Sequence, residues 1–122
     1  MTSPILVVED NHDLLFLLKL VLESAGYQVA TANNGHEAIN NIAEIQPQLI
    51  LMDIMMPEID GLQVSRQIKQ QADYQSLPIL LVSALDHLEE DQLNNSKANG
   101  IIYKPFDIND LISRVGGLIG DR

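Results

Sequence analysis

The chain alternates short runs of consecutive apolar residues with longer segments in which apolar residues recur every three or four positions. Runs such as LILM and ILLV show no polar alternation, which is typical of strands covered by helices on both faces. The longer segments have the period of amphipathic helices. The pattern predicts an α/β fold of five βα units around a central parallel sheet. The predicted strands are residues 5–8, 29–32, 49–52, 79–82 and 101–103.

Five helices are predicted after these strands, at about residues 12–25, 36–44 and 62–71, a weakly periodic segment at 88–96, and a last helix that Gly116 and Gly117 end or fray. Gly26 is suited to the left-handed position that follows the first helix. Phe16 and Leu20 are predicted to face solvent. The core face of the first helix is predicted to contain Leu14, Leu15, Leu17, Leu18, Val21, Leu22 and Ala25, and that of the last helix Ile108, Leu111, Ile112 and Val115.

The length of 122 residues and the hydrophobic fraction of 46% predict one globular domain over residues 1–122 that folds without covalent cross-links. The sequence has no cysteine, which excludes disulfides, zinc-thiolate sites and thiol catalysis. The N-terminus lacks a signal-peptide pattern, and no apolar run approaches the ~18 residues of a membrane span. We expect no membrane insertion and a cytoplasmic location.

The charge balance is strongly acidic, with 17 Asp and Glu against 7 Lys and Arg and a formal net charge of −10. A protein that binds duplex DNA usually carries a cluster of basic residues on one face. No run of Lys or Arg is present here, so direct nucleic-acid binding is not expected.

Polar residues follow four of the predicted strands. Glu9 and Asp10 come after ILVV, Asp53 after LILM, Ser83 after ILLV, and Lys104 after GIIY. In a parallel sheet these positions share one edge, where ligands of open α/β folds bind. Two like charges about 5 Å apart repel by roughly 3 kcal/mol at an effective dielectric near 20. Three carboxylates at one edge therefore favour a site for a divalent cation.

Magnesium is the cation that this set of oxygens suits, because Mg²⁺ takes about six oxygen ligands and keeps several waters. Asp10 and Asp53 could ligate directly, and Glu9 through water. The backbone carbonyl of Met55 is a candidate for a further ligand. The remaining positions would accept phosphate oxygens.

These segments together resemble the receiver domain of two-component response regulators, the CheY-like family. The resemblance covers nearly the whole chain, from ILVVED through LILMDIMMPEIDG and PILLVSA to GIIYKPF. It implies a doubly wound (βα)5 sandwich with strand order 2-1-3-4-5 and a cis peptide before Pro105. It also implies that Asp53 accepts a phosphoryl group, that Glu9 and Asp10 hold Mg²⁺, and that Ser83 and Lys104 contact the phosphoryl oxygens.

The resemblance implies a signalling switch rather than a turnover enzyme. A sensor histidine kinase or a histidine phosphotransfer protein would donate the phosphoryl group. The surface of the fourth helix, fifth strand and fifth helix would then change toward a downstream protein target or effector domain, with a phosphorylation-dependent homodimer left open. The family docks such donors on its first helix, which gives Phe16 and Leu20 an alternative to being ordinary exposed residues.

Two departures from the family pattern affect the expected switch. The family usually has an aromatic residue three positions before the Lys of KPF, where this chain has Ile101, and Tyr103 lies on the same side of the strand. Met55 and Leu85 are apolar at positions that shape the access of hydrolytic water in this family. We therefore expect a comparatively long-lived phosphoryl group.

Three alternative functions fit the sequence less well than a signalling switch. A phosphohydrolase that forms an aspartyl phosphate usually adds a second Asp two residues after the nucleophile, where this chain has Met55. A receiver-like adaptor that no longer needs phosphate would not require Glu9, Asp10, Asp53, Ser83 and Lys104 all to be present. A nucleotide or flavin module would need a glycine-rich phosphate loop, which this sequence lacks.

Overall fold

A computed structural model describes residues 3–84 and 88–120. Its five strands form one parallel sheet in the order β2-β1-β3-β4-β5, as predicted. Neighbouring strands pair in parallel register, with Val8 opposite Met52 and Asp53 opposite Val82. Each strand lies within one residue of its predicted bounds. The strands are β1 (Ile5–Val8), β2 (Val29–Ala32), β3 (Leu49–Asp53), β4 (Ile79–Ser83) and β5 (Gly100–Tyr103).

Five α-helices are present in the described residues, and a short 3-10 turn at Ala72–Tyr74 precedes β4. Polar side chains cap four of the helices by accepting a backbone N–H of the first turn. These caps define the residue at which each of these helices begins after the preceding loop. The helices are α1 (His12–Ser24), α2 (Gly35–Ile45), α3 (Gly61–Lys69), α4 (Glu90–Ser96) and α5 (Ile108–Ile119).

Alternate strand residues build two hydrophobic layers, one on each face of the sheet. The first layer packs against α2, α3 and Leu88, and the second packs against α1 and α5. The central strand residues are almost fully buried on both faces, which explains why their sequences show no polar alternation. The strand side chains are Leu6, Val8, Ala32, Ile50, Met52, Ile79 and Leu81 in the first layer and Ile5, Val7, Leu49, Leu51, Leu80, Val82 and Ile102 in the second.

Three predictions about α1 and α5 were wrong. Gly116 and Gly117 do not end the last helix, because α5 continues to Ile119 while Val115 is fully buried against the sheet. Ile108 was predicted to lie on the core face of this helix, but it is 43% exposed at the first helical position, and burial is concentrated at Leu111 and Val115. On the first helix Leu17 is 47% exposed, so it joins Phe16 and Leu20 on the solvent side. Ala25, which was also predicted to face the core, is exposed as well. Burial is concentrated at Leu18 and Leu22, so the predicted core face was two residues too wide.

The predicted third helix also ended too late, since α3 stops at Lys69 and its C-cap is Gln70. Gly26, at φ +99, occupies the left-handed position expected after α1. Among the described residues no helix is long and apolar enough to cross a bilayer.

Candidate functional site

The carboxyl ends of β1, β3, β4 and β5 meet at one edge of the sheet, because the strand order makes each of these strands a neighbour of the next. Glu9 directly follows β1, and Asp53 is the last residue of β3. Ser83 is the last residue of β4, and Lys104 directly follows β5. The backbone N–H of Lys104 donates to the carbonyl of Ser83 at 2.7 Å, which ties the last two positions together.

Three carboxylates converge at this edge. Glu9, Asp10 and Asp53 each offer an oxygen, and these oxygens lie within 4.8 Å of one another. Glu9 and Asp53 are buried, whereas Asp10 is exposed. Oδ1 of Asp53 is buried without a hydrogen-bond partner, an arrangement that is costly unless another group satisfies it. The oxygen set and the unsatisfied atom fit a hard divalent cation such as Mg²⁺.

Lys104 supplies the positive charge of the site. Its Nζ lies 3.6 Å from Oδ2 of Asp53 and 3.9 Å from Oε1 of Glu9. Lys104 is joined to Pro105 by the cis peptide that the resemblance implied. One ammonium faces three carboxylates here, so the described site retains an excess of negative charge.

Burial governs the protonation of the two inner carboxyl groups. Burial raises the pKa of Glu9 from 4.5 to about 7, and the nearby charge of Asp53 adds to the rise. The backbone N–H of Asn11, which donates to Oε2 of Glu9 at 3.1 Å, acts in the opposite direction. Burial also raises the pKa of Asp53, opposed mainly by the Lys104 ammonium. A bound cation would favour the ionised forms of both groups.

The loop after β3 brings α3 directly against the site. The N–H of Gly61 donates to the carbonyl of Ile54 at 2.8 Å, and Asp60 caps the helix through Gln63. A Cβ on Gly61 would collide with the carbonyl oxygen of Asp53. The absence of a side chain at Gly61 therefore allows the start of α3 to approach the end of β3 closely, which nothing in the local sequence pattern signals.

Met55 lies beside the site and is 55% exposed. The backbone N–H of Met55 lowers the pKa of Asp53, which puts this peptide unit next to the carboxylate. A groove of about 520 Å³ opens here between the β3–α3 loop and α4, and Asp10, Met55 and Leu88 are among its lining residues. Leu85, the other residue expected to shape water access, lies outside the described residues.

Ile101 and Tyr103 occupy the same face of β5, as predicted. Ile101 is partly buried against the layer that contains Leu81, its partner in the β4–β5 register. Tyr103 is opposite Ser83 in that register and is 41% exposed. Tyr103 is therefore the residue of β5 that pairs with Ser83 in the sheet register, whereas position 101 holds a packed aliphatic side chain.

The parallel five-stranded sheet and the acidic edge with its lysine define a class of signalling domain. A family model described as the response regulator receiver domain matches residues 5–116. The chain belongs to this family, and it is a receiver domain of two-component signalling. It is 30% identical over 122 residues to the polar-differentiation response regulator DivK of Brucella abortus, covering 99% of both chains.

Solved structures agree with this assignment. A putative response regulator from Chloroflexus aurantiacus superposes with a TM-score of 0.91 at 30% identity, covering 98% of both chains. The response regulator TrrA of Thermotoga maritima, solved in complex with Mg²⁺-BeF, gives a TM-score of 0.86 at 32% identity. That match covers 96% of this chain and 99% of TrrA.

Proposed function

We propose that Asp53 is the phosphoacceptor of a Mg²⁺-dependent signalling switch. The observation that carries the proposal is the placement of this one side chain. Asp53 is buried among carboxylates that suit a divalent cation, has an oxygen without a partner, and lies 3.6 Å from the Lys104 ammonium. Phosphoryl transfer depends mainly on positioning and charge neutralisation, and these residues supply both.

The transfer joins Asp53 to a phosphohistidine of the donor. A carboxylate oxygen of Asp53 attacks phosphorus, the new O–P bond forms as the P–N bond breaks, and the imidazole nitrogen leaves with the electron pair and takes up a proton. Lys104 faces the equatorial oxygens, and the Ser83 hydroxyl contacts one of them after transfer. Glu9, Asp10, Asp53 and the Met55 carbonyl would hold Mg²⁺, which neutralises charge on the transferring group.

The output of the switch is proposed to be the surface formed by α4, β5 and α5. To invert a 1:99 equilibrium between two states, phosphorylation must favour the active state by about 5.5 kcal/mol. A new, doubly charged group contacting both Ser83 and Lys104 is suited to supply a large part of this energy. Tyr103 is opposite Ser83 in the sheet register, so a movement of the serine would reach β5 directly.

The partners follow from this chemistry. The phosphoryl donor is proposed to be a sensor histidine kinase or a histidine phosphotransfer protein in the cytoplasm. The recipient of the signal is proposed to be a downstream protein target, an effector domain or a second copy of the phosphorylated chain. The receiver is a substrate and a weak self-catalyst in this scheme, and not a turnover enzyme.

Intact mass after incubation with a small phosphodonor and Mg²⁺ tests the proposal. We expect a phosphate-sized gain in the wild type and none in Asp53→Asn. Asp60→Asn is the matched control, because asparagine caps α3 as well as aspartate does and should leave the gain unchanged. A gain in both wild type and Asp53→Asn, or in neither, would contradict the assignment.

A further inference from the structure

A second polar cavity lies far from the carboxylates, between the C-terminal parts of α3 and α4. Its volume is about 600 Å³, within the range of small-molecule sites. Three cationic and three amide side chains line it, and neither an acidic nor an aromatic residue is among them. They are Arg66, Lys69, Lys97, Gln70, Gln75 and Asn95.

This cavity is separate from the phosphoacceptor site. The Oδ1 atom of Asn99 accepts from both Lys69 Nζ at 2.7 Å and the backbone N–H of Ile79 at 3.0 Å. Ile79 is the first residue of β4, whereas Ser83 is the last. The cavity therefore adjoins the amino edge of the sheet, and Asp53 lies at the carboxyl edge.

The charge of the cavity is unusual for so acidic a chain. The protein has a net charge of −10 and 7 Lys and Arg in all, yet three of these seven line this one cavity. The C-termini of α3 and α4 also lie here, and each helix end carries about half a negative charge. Two helix ends offset about one of the three positive charges, so a positive surplus remains.

Lys69 shows that this surplus has not been neutralised within the described residues. Its side chain is 9% exposed, and its ammonium donates to two neutral oxygens, Asn99 Oδ1 at 2.7 Å and the carbonyl of Gln75 at 3.4 Å. An ammonium has three donors, and the ion pairs of the described residues all belong to Lys104. Burial lowers the pKa of Lys69, which reflects the cost of a buried charge without a counter-ion.

We propose that this cavity binds a small phosphorylated ligand, of the phosphosugar or inorganic polyphosphate class. The planar fork of Arg66 matches two phosphate oxygens, and Lys69 and Lys97 add point charges. The amides of Gln70, Gln75 and Asn95 can bond hydroxyl or bridging oxygens. The lining offers no aromatic ring on which a base could stack, which favours phosphosugars and polyphosphates over nucleobase ligands.

Titration with inorganic pyrophosphate, followed by backbone amide NMR shifts, tests this site. The whole chain is used in magnesium-free buffer at about physiological salt, where weak surface attraction is screened. We expect saturable shifts confined to the ends of α3 and α4 and the segment around Gln75. Arg66→Gln and Lys97→Gln should each weaken binding about tenfold, the loss of one charge-assisted contact. Lys69 is not substituted, because its ammonium donates hydrogen bonds to Asn99 and Gln75 and its loss would also disturb the fold.

Lys19→Gln is the matched control, since it removes the same charge from α1, outside the cavity. It should leave the affinity unchanged. The proposal is overturned by shifts that do not saturate, by shifts centred on Lys104, or by equal weakening in all three variants, which would show general attraction to an anion. Phosphorylation of Asp53 is not required for any of these outcomes, so this proposal fails or stands independently of the signalling function.

Discussion

The buried glutamate after β1 makes the stability of the magnesium-free protein depend on pH. Glu9 is 2% exposed, and burial raises its pKa from 4.5 to about 7. Below pH 4.5 the group is protonated in both the folded and the unfolded chain and has no effect. Between pH 4.5 and about 7 the unfolded chain ionises while the folded chain keeps its proton. The folded state then binds more protons, so the free energy of unfolding falls as the pH rises.

The size of this fall follows from the shift in pKa. A displacement from 4.5 to about 7, at 1.36 kcal/mol per pKa unit, corresponds to about 3 kcal/mol. The full loss is present above pH 7, where both states are ionised. This loss is a large fraction of the free energy of unfolding of a typical domain, which is roughly 5–15 kcal/mol. The raised pKa of Asp53 acts in the same direction, so Glu9 accounts for only part of the total.

Urea unfolding at pH 5, 6, 7 and 8 in magnesium-free buffer measures the effect. Most of this loss of about 3 kcal/mol falls between pH 5 and 8, and we expect Glu9→Gln to abolish that part of the decline in the free energy of unfolding, because glutamine does not ionise. Glu44→Gln, an exposed glutamate on α2, is the control and should follow the wild type. Parallel pH profiles for wild type and Glu9→Gln would refute the reasoning. Saturating Mg²⁺ should restore most of the wild-type loss, since a cation that binds only the folded state stabilises it.

Three further substitutions test other parts of the structure. Gly61→Ala should destabilise the fold by about 2 kcal/mol or more in urea unfolding, because the added Cβ would collide with the backbone at the end of β3. Gly117→Ala is the control: its added Cβ would meet no atom, so this substitution should not destabilise the fold. Asn99→Asp should stabilise the fold by about 1 kcal/mol, since the buried Lys69 gains a counter-ion; an unchanged urea midpoint would contradict this. Met55→Asn should shorten the lifetime of the phosphoryl group several-fold at neutral pH by admitting water. A lifetime equal to that of Met55→Leu would count against the role proposed for this side chain.

The strands were predictable because they are buried on both faces. Ile50 and Leu51 point to opposite sides of the sheet, yet each is fully covered, so apolar residues had to follow one another without alternation. The same parallel arrangement made the site predictable. Once the strands were assigned, Asp53 and Ser83 had to emerge at the same edge.

The features that could not be predicted from the sequence depend on contacts between segments that are distant along the chain. Gly116 continues α5 because burial of Leu111 and Val115, in the layer against which Tyr27 packs, outweighs the low helix propensity of glycine. Leu17 is as apolar as Leu18, and only the position of the helix axis decides which of the two is buried. The contact between Lys69 and Asn99 spans 30 positions, so no local pattern could indicate it.

The charge count at the carboxyl edge explains why the proposed chemistry needs a metal. Three carboxylates and the Lys104 ammonium leave an excess of two negative charges when all four groups are ionised. This excess would repel a phosphoryl donor. The raised pKa of Glu9 reduces the excess in part, because it favours the neutral form of that carboxyl group. A single divalent cation cancels the excess, and a monovalent cation cannot. In the proposed mechanism the phosphoryl group would then enter a site that is close to neutral, with Lys104 3.6 Å from the Asp53 carboxylate. The proposal therefore predicts that the cation binds before the phosphoryl group is transferred.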